Sequence, residues 1–521
     1  MSKPRQAGCV RGPLCCGARL RSVSRLVFVL LVVSCPLRGA PVLASLELQK
    51  GPISGDLGGS LELSAPVRFD PQSRAEMPSF RLLLKSDLRA GEHAGFYGEI
   101  RAGYDGSQRS ARNEGFLLGW KEVYPSKDRY AEVAEAYVSL FLPDLDLRIG
   151  VQKFAWGTLD QINPTDNLSP LDLRHLLTSE ALERKIGVPA LRALYGSVAT
   201  SIQIEAVWIP FLVPYRFPDR GDRWYPPVFQ APELVSVILP GLPEPIPLKI
   251  EQTNEEPDLP ARNIRHSELG IRLARTLGNV DLGLSYFNGY DRRPVIRADG
   301  VVVTDLRILP PEADFNYLLT VRPDFHRIQV FGFDAAASRG LFTFRAEGAY
   351  IKDRFINMGL KGLDKLIEEF RFPPLSALTL APLPGGIQVR FPYSPQISFR
   401  KNVLSVGGGV DYQWGDHLLS LQVMGDRILN DHGEDLIYRE TEIFVTVGTH
   451  SRFLEDTLQL EGGLLHNPME ELWIGSVKTT YSITDALAAG FDLLVLDGKS
   501  TSPFGQFSHN DQIVLFARYS F

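Results

Sequence analysis

Cysteine is scarce and confined to one end: the four cysteines of the 521 residues are Cys9, Cys15, Cys16 and Cys35. Beyond Cys35 the chain can form no disulfide, build no thiolate metal site and attach no c-type haem, so no cofactor is expected. Apolar runs are equally limited. After the N-terminal region no stretch approaches the roughly 20 consecutive apolar residues that a membrane helix needs. Basic charge is short as well, with 55 Lys and Arg against 61 Asp and Glu. That balance is a poor basis for nucleic-acid binding, which needs clustered cations against phosphate. Catalytic signatures are missing too: there is no phosphate-cradling glycine loop, no paired histidines at helical spacing and no Gly-x-Ser-x-Gly turn.

What is present begins with an export signature. Lys3, Arg5, Arg11, Arg19, Arg21 and Arg25 precede an apolar run at 26–33, and Val42-Leu43-Ala44 then offers a small-residue cleavage site before Ser45. Residues 1–44 therefore read as a signal peptide and 45–521 as the exported protein. Val32-Val33-Ser34-Cys35 resembles a lipoprotein cleavage box, but Pro36 follows directly and the later site is better formed. Removing the signal takes seven basic residues and leaves 48 against 61, a net charge of −13.

Alternation with period two dominates the rest of the chain. In 145–152, Leu145, Leu147, Ile149 and Val151 alternate with Asp146, Arg148, Gly150 and Gln152. Phe96, Gly98, Ile100 and Ala102 alternate with Glu99, Arg101 and Gly103. Ile202, Ile204 and Ala206 face away from Gln203 and Glu205, and Leu269, Ile271 and Leu273 from Gly270 and Arg272. Phe342, Phe344, Ala346 and Gly348 alternate with Thr343, Arg345 and Glu347, and Leu458 and Leu460 with Gln459 and Glu461. A soluble β-sandwich and a membrane β-barrel both produce this pattern; they differ in whether the apolar face meets a core or lipid.

Three features favour the barrel: the repetition behind a signal peptide, aromatic strand ends (Tyr104, Trp156, Trp208, Tyr290, Tyr350, Trp473), and the C-terminus. There Ile513, Leu515, Ala517, Tyr519 and Phe521 form one apolar face ending in an aromatic. Such a strand resembles the C-terminal strand of bacterial outer-membrane proteins, which implies recognition of Phe521 by the barrel-assembly machinery. Gly278-Asn279, Gly415-Asp416 and Thr484-Asp485 mark tight turns between alternating runs. The expected fold is all-β: a transmembrane antiparallel up-and-down barrel of about 16 strands, range 14 to 18, in contact with outer-membrane lipid and lipopolysaccharide.

Three stretches break the rhythm. Residues 209–262 are proline-rich and close on Glu251, Glu255, Glu256 and Asp258, and read as a long extracellular loop. In 355–397, another long loop, Leu360, Leu363, Leu366, Ile367 and Phe370 fall at helical spacing, either as a helix folded toward the mouth or as a solvated surface helix. The third, 153–190, contains Asn163-Pro164-Thr165-Asp166, a turn and helix-start sequence in which Thr165 or Asp166 would cap a short helix over Leu171, Leu173, Leu176 and Leu177. It reads either as an inward-folded plug or constriction or as a capped loop at one rim. In the first case Asn163, Asp166, Asp172, Arg174 and Arg184 lie at the narrowest point. The inward strand charges Arg101, Arg148, Arg272, Arg345, Glu99, Glu135, Glu205 and Glu347 would then line the lumen.

The succession Val151-Gln152-Lys153-Phe154-Ala155-Trp156-Gly157, Ile162-Asn163-Pro164-Thr165-Asp166, Ser169-Pro170-Leu171-Asp172-Leu173-Arg174 and Val188-Pro189-Ala190-Leu191-Arg192 resembles a porin-like family of Gram-negative outer-membrane barrels of unknown function. Tyr286-Phe287-Asn288-Gly289-Tyr290-Asp291-Arg292 and Gly409-Val410-Asp411-Tyr412 echo it. The resemblance implies a barrel and a transport-like role, and no substrate.

The functional expectation is a non-enzymatic pore for small or amphipathic solutes. The alternative is the barrel component of an envelope assembly, either a sheath for a multihaem cytochrome that brings its own haem or a partner in lipid or polysaccharide export. Either admits a homo-oligomer or a periplasmic partner. A barrel-embedded hydrolase would have to use His266-Ser267 or His326, since His450, His466 and His509 read as rim or loop residues.

Overall fold

The structure is a computed structural model that describes residues 46–68, 78–106, 129–160, 162–174, 184–197, 199–218, 223–225, 234–237, 246–254, 257–309, 312–359, 379–383, 386–391, 397–499 and 504–521. The chain divides into Met1–Ala44 and Ser45–Phe521. Residues 1–44, expected to be a signal peptide, lie outside the described residues, as do Leu176, Leu177 and the helical spacing from Leu360 to Phe370.

Eighteen antiparallel strands form a closed ring. They are β1 (Ile53–Arg68), β2 (Ser79–Ala90), β3 (Ala94–Tyr104), β4 (Arg129–Leu142), β5 (Leu145–Gln152), β6 (Val188–Ser197), β7 (Ile202–Ile209), β8 (Glu268–Leu277) and β9 (Val280–Tyr290). The ring continues with β10 (Arg327–Arg339), β11 (Phe342–Asn357), β12 (Ser398–Trp414), β13 (His417–Ile428), β14 (Thr441–Phe453), β15 (Leu458–Asn467), β16 (Leu472–Ser482), β17 (Leu487–Asp497) and β18 (Gln512–Ser520). Each pairs with the next, and β18 closes onto β1 from Ser60↔Ser520 to Arg68↔Gln512. Closure leaves no unpaired ladder, the condition a sheet must meet to sit in hydrocarbon. Beyond Ser60 the free edge of β1 is taken by the short strand Leu46–Lys50. The ring thus has 18 strands where the alternation suggests about 16. The expected soluble alternative, two packed sheets, is not what the ladders make.

The two faces are those the alternation predicts. Ile149, Leu284, Phe331, Phe344, Val406 and Leu421 stand exposed on the outer face, while Glu99, Glu205, Asp334 and Glu347 on the neighbouring positions are buried. Tight turns gather at one end, including 278–279 and 415–416, where Gly278 (φ +64°) and Gly415 (φ +57°) take the left-handed conformation open to glycine. The longer connections gather at the other end.

At that loop end six strands form a second, open sheet in the order Thr379–Leu383, Gly386–Phe391, Val295–Leu309, Glu312–Asp324, Ile246–Asn254, Leu234–Val237. Residues 209–262, expected to be a long loop, and 355–397, expected to be a long loop carrying a helix, therefore each contribute two strands. Within each connection the two strands pair as a hairpin, and each hairpin joins the sheet through a partner distant in sequence, as in Lys249↔Asn316 and Val303↔Val389, which no local pattern announces. Among the described residues no helix is long and apolar enough to cross a membrane.

Candidate functional site

Between β5 and β6 the chain turns onto the inner face of the ring. Lys153 N–H donates to Glu135 of β4 (2.9 Å), and Trp156 Nε1 to Glu205 of β7 (3.1 Å). Asp160 N–H then donates to Gln422 of β13 (3.1 Å), whose Nε2 donates back to Asp160 (2.8 Å). β4 and β13 lie nine strands apart in a ring of 18, so residues 153–160 connect opposite walls.

Glu347 on β11 is the centre of this arrangement. Its Oε2 accepts from the backbone N–H of Thr158 (2.8 Å) and Leu159 (3.0 Å), and its Oε1 from Thr165 N–H (3.0 Å) and Thr165 Oγ1 (2.7 Å). A buried carboxylate with four donors is well compensated for its desolvation. Arg345, two residues earlier, donates to Thr158 O (2.8 Å) and Asp160 (2.7 Å) and pairs with Asp411 of β12.

The turn itself is organised by Asn163. Its Oδ1 accepts from Thr165 N–H (3.1 Å) and Asp166 N–H (3.1 Å), and its Nδ2 donates to Trp156 O (2.7 Å) and Leu159 O (3.2 Å). The capping residue is therefore Asn163 instead of Thr165 or Asp166, because an asparagine side chain mimics the turn of the backbone two residues on. No helix follows in the described part: Leu171 pairs with Lys185 and Asp172 with Arg216 as isolated bridges.

Apolar packing fixes the same segment. Phe154, Trp156, Leu168 and Ile186 are buried in one cluster with the inward residues Val188, Val207, Phe287, Val330, Ala349 and Val403. Trp156, read from sequence as an aromatic strand end, belongs to this interior; β5 already ends at Gln152. Inward glycines admit the segment. A Cβ on Gly270 would lie 2.8 Å from the Trp156 ring, one on Gly332 2.7 Å from Thr165 Cγ2, and one on Gly407 2.7 Å from Leu159.

The remaining expected site residues fall into ion pairs on or beside this face. Glu99 takes Arg101 at 2.6 Å, Lys153 at 3.6 Å and Lys85 at 3.7 Å. Glu205 pairs with Arg192 (2.7 Å), Arg272 with Asp334 (2.7 Å), and Asp166 with Lys185. Asp172 holds Arg174 (2.7 Å) and Arg216 (2.8 Å), and its N–H donates to Arg184 O (2.7 Å). Arg148 lies over the Tyr137 ring at 5.3 Å. Burial lifts the Asp166 carboxyl above the ordinary carboxylate range, with the ammonium of Lys185 opposing it, and burial also draws the Lys153 ammonium down. The partners Asp334 and Gln422 escaped the sequence reading, and Lys153, Asp160, Lys185, Arg192 and Asp411 fall in segments it singled out without being chosen as site residues; alternation marks the strand residues among them as inward, but nothing marks their cross-ring contacts.

Neither enzymatic candidate gains a constellation. His266 Nδ1 meets Tyr290 Oη, and Ser267 Oγ donates to Ile264 O (2.7 Å), so the two side chains do not address each other. His326 stacks on Phe355 and lies 3.7 Å from Asp324. Among the described residues no group of three His, Cys, Asp or Glu side chains could hold a metal ion.

Residues 73–374 match a family described as Protein of unknown function (DUF1302). No curated protein matches the chain. Solved structures similar to it include the outer membrane channel DcaP of Acinetobacter baumannii, 9% identical, covering 92% of this chain and 100% of the other at a TM-score of 0.39. A BenF-like porin from Pseudomonas fluorescens Pf-5 is 8% identical over 90% of this chain and 98% of its own, TM-score 0.44. OpdK of Pseudomonas aeruginosa, solved with vanillate, is 11% identical over 90% and 98%, TM-score 0.44.

Proposed function

Since the chain belongs to the DUF1302 family, whose description assigns no chemistry, we propose a function from the geometry alone: an outer-membrane channel for small polar or amphipathic solutes, narrowed by its own segment 153–169. The observation that carries this reading is the closed ring, aliphatic outside and charged inside, with a chain segment pinned from wall to wall. An 18-stranded ring is wide enough to enclose an aqueous channel. The segment and its apolar cluster fill the side of the ring formed by β6–β13. Solute then passes along the wall of β14–β18 and β1–β3, where Trp224 and Phe507 cover Leu472, Ile474, Leu494 and Leu496 at the loop end and His450, Glu461, Lys478, Asp492 and Arg518 stand inward nearer the turns. Charges of both signs on that wall orient a dipolar solute more than they select an ion.

A sheath around a cytochrome needs a vacant interior, and the segment 153–169 with its apolar cluster occupies part of this one. That favours the channel over the assembly role.

Planar-bilayer recording of the purified protein tests the reading. Discrete conductance steps are expected, with larger steps from Glu347→Gln, which replaces one acceptor oxygen by a donor facing the N–H groups it held. A well-folded barrel that conducts in neither form would overturn it.

A further inference from the structure

The outward positions at the loop end are not alike around the ring. On β2, β3, β7 and β16 they are Phe80, Tyr104, Trp208 and Trp473, the aromatic type that suits a membrane interface. On four consecutive strands they are cations instead: Arg327 on β10, Lys352 on β11, Arg400 on β12 and Arg427 on β13. All four are exposed, Arg400 at 68% and Arg427 at 64% of the side chain. The registers place Arg327, Lys352 and Arg427 at nearly one level, while Arg400, opposite Phe355 past an irregularity in the ladder, stands four residues beyond Leu404 toward the loops. Lys352 is opposite Gln329, two residues from Arg327; Arg427 is opposite Leu404, which is itself opposite Tyr350.

Two carboxylates stand nearby, Asp353 3.8 Å from Arg400 and Glu440 3.5 Å from Arg427. They leave the row cationic. Arg327 donates to neutral oxygens only, Asn288 Oδ1 at 2.7 Å and Ser267 O at 2.9 Å, so those contacts position its guanidinium without cancelling its charge. Toward the middle of the same strands, past one further outward position at Gln329, Asn402 and Gly425, the apolar belt resumes with exposed Phe331, Leu404 and Val423.

From this juxtaposition we infer that the rim of β10–β13 is a docking site for a net-anionic lipid headgroup carrying phosphomonoesters, its acyl chains lying on Phe331, Leu404 and Val423. The inference rests on the membrane reading above. Guanidinium groups match phosphate oxygens in pairs, and the neighbouring hydrocarbon strengthens the attraction by excluding water. Each basic residue at an anionic membrane surface changes binding by about fivefold. Because the two carboxylates offset part of this, neutralising all four cations should weaken binding by about tenfold or more.

The test uses the full chain in phosphatidylcholine vesicles carrying a trace of bis-phosphorylated glycolipid, with lipid retained per barrel read by native mass spectrometry. The combined variant R327Q, K352Q, R400Q and R427Q should lose about tenfold of that retention. The same glycolipid without its phosphates should be retained as poorly by the unaltered protein, and the turn-end control R275Q with R339Q should change nothing. Equal retention by the fourfold variant, equal retention of the dephosphorylated lipid, or an equal loss in the control overturns the site. Full displacement by inorganic phosphate alone would assign the row to a free anion and overturn the lipid. Insertion is scored separately by heat-shifted gel migration. A chain that never inserts overturns the membrane reading, whereas one that inserts and retains no glycolipid overturns the docking site alone.

Discussion

Glu347 shows how much a single carboxylate carries. Removing this acceptor strands the N–H groups of Thr158 and Leu159 and leaves both donors of Thr165 to Asn163 Oδ1 alone, so Glu347→Ala should lower unfolding stability in detergent by about 2–4 kcal/mol and red-shift tryptophan emission as Trp156 meets water. Unchanged emission together with unchanged stability would show that the turn holds without it. Glu434, in the loop between β13 and β14, gives a pH-dependent case. The hydrogen bond from Lys401 Nζ at 2.7 Å, with a second from His432 N–H, holds its carboxyl down at about 2. A depressed carboxylate stabilises the folded loop above the ordinary carboxylate range and loses that contribution as pH falls toward 2. Hydrogen exchange in 429–440 should therefore stay slow at pH 4 and quicken near pH 2, and Glu434→Gln should remove the difference. At this scale the sequence reveals inwardness and little more. Alternation identifies Glu347 as facing the lumen, but its donors lie 182 to 189 positions away, and no spacing rule connects them.

The segment from 153 to 169 behaves as an element in its own right although it has no regular secondary structure. Side chains, not a ladder, satisfy its backbone: Glu135, Ser169, Glu347 and Gln422 each take one or more of its N–H groups. It was legible as a break in rhythm, and Asn163-Pro164 correctly marks a turn. The identity of the cap and the absence of a helix before Arg174 were not legible, because Asx-turn and N-cap geometry share the same residue types. The six-stranded sheet at the loop end escaped for a different reason. Its strands come from three separate connections, and single short runs bounded by proline look like loops until their partners are known. Bulk added beneath the segment should dislodge it while leaving the ring intact. Gly332→Val, which drives a side chain into Thr165 Cγ2, should enlarge conductance while preserving heat-shifted migration; loss of the folded band instead would show that ring and segment fold as one.

For the molecule as a whole, the ladder of β1 through β18 was the best-read feature, since every strand repeats the same two-residue code: even short strands such as Leu145–Gln152 and Ile202–Ile209 alternate cleanly, and the count of 18 falls at the upper end of the expected 14 to 18. Tight turns at one end and long connections at the other match the periplasmic and extracellular ends of outer-membrane barrels. The absence of cysteine after Cys35 makes this orientation directly measurable. In intact cells Arg262→Cys, beside the loop-end strands, should react with an impermeant maleimide, Ser201→Cys at a tight turn should not, and Phe344→Cys on the outer face should stay unreactive even after the outer membrane is permeabilised. Reversed labelling of the first two would invert the barrel.

The bonds that run from β4 to β13 also have a mechanical meaning. A hollow cylinder of strands flattens easily under sideways load, because its hydrogen bonds resist stretching far better than bending. A strut fastened at both ends holds the two sides at a fixed span, so the ring keeps its width along that line when bilayer tension or thickness changes.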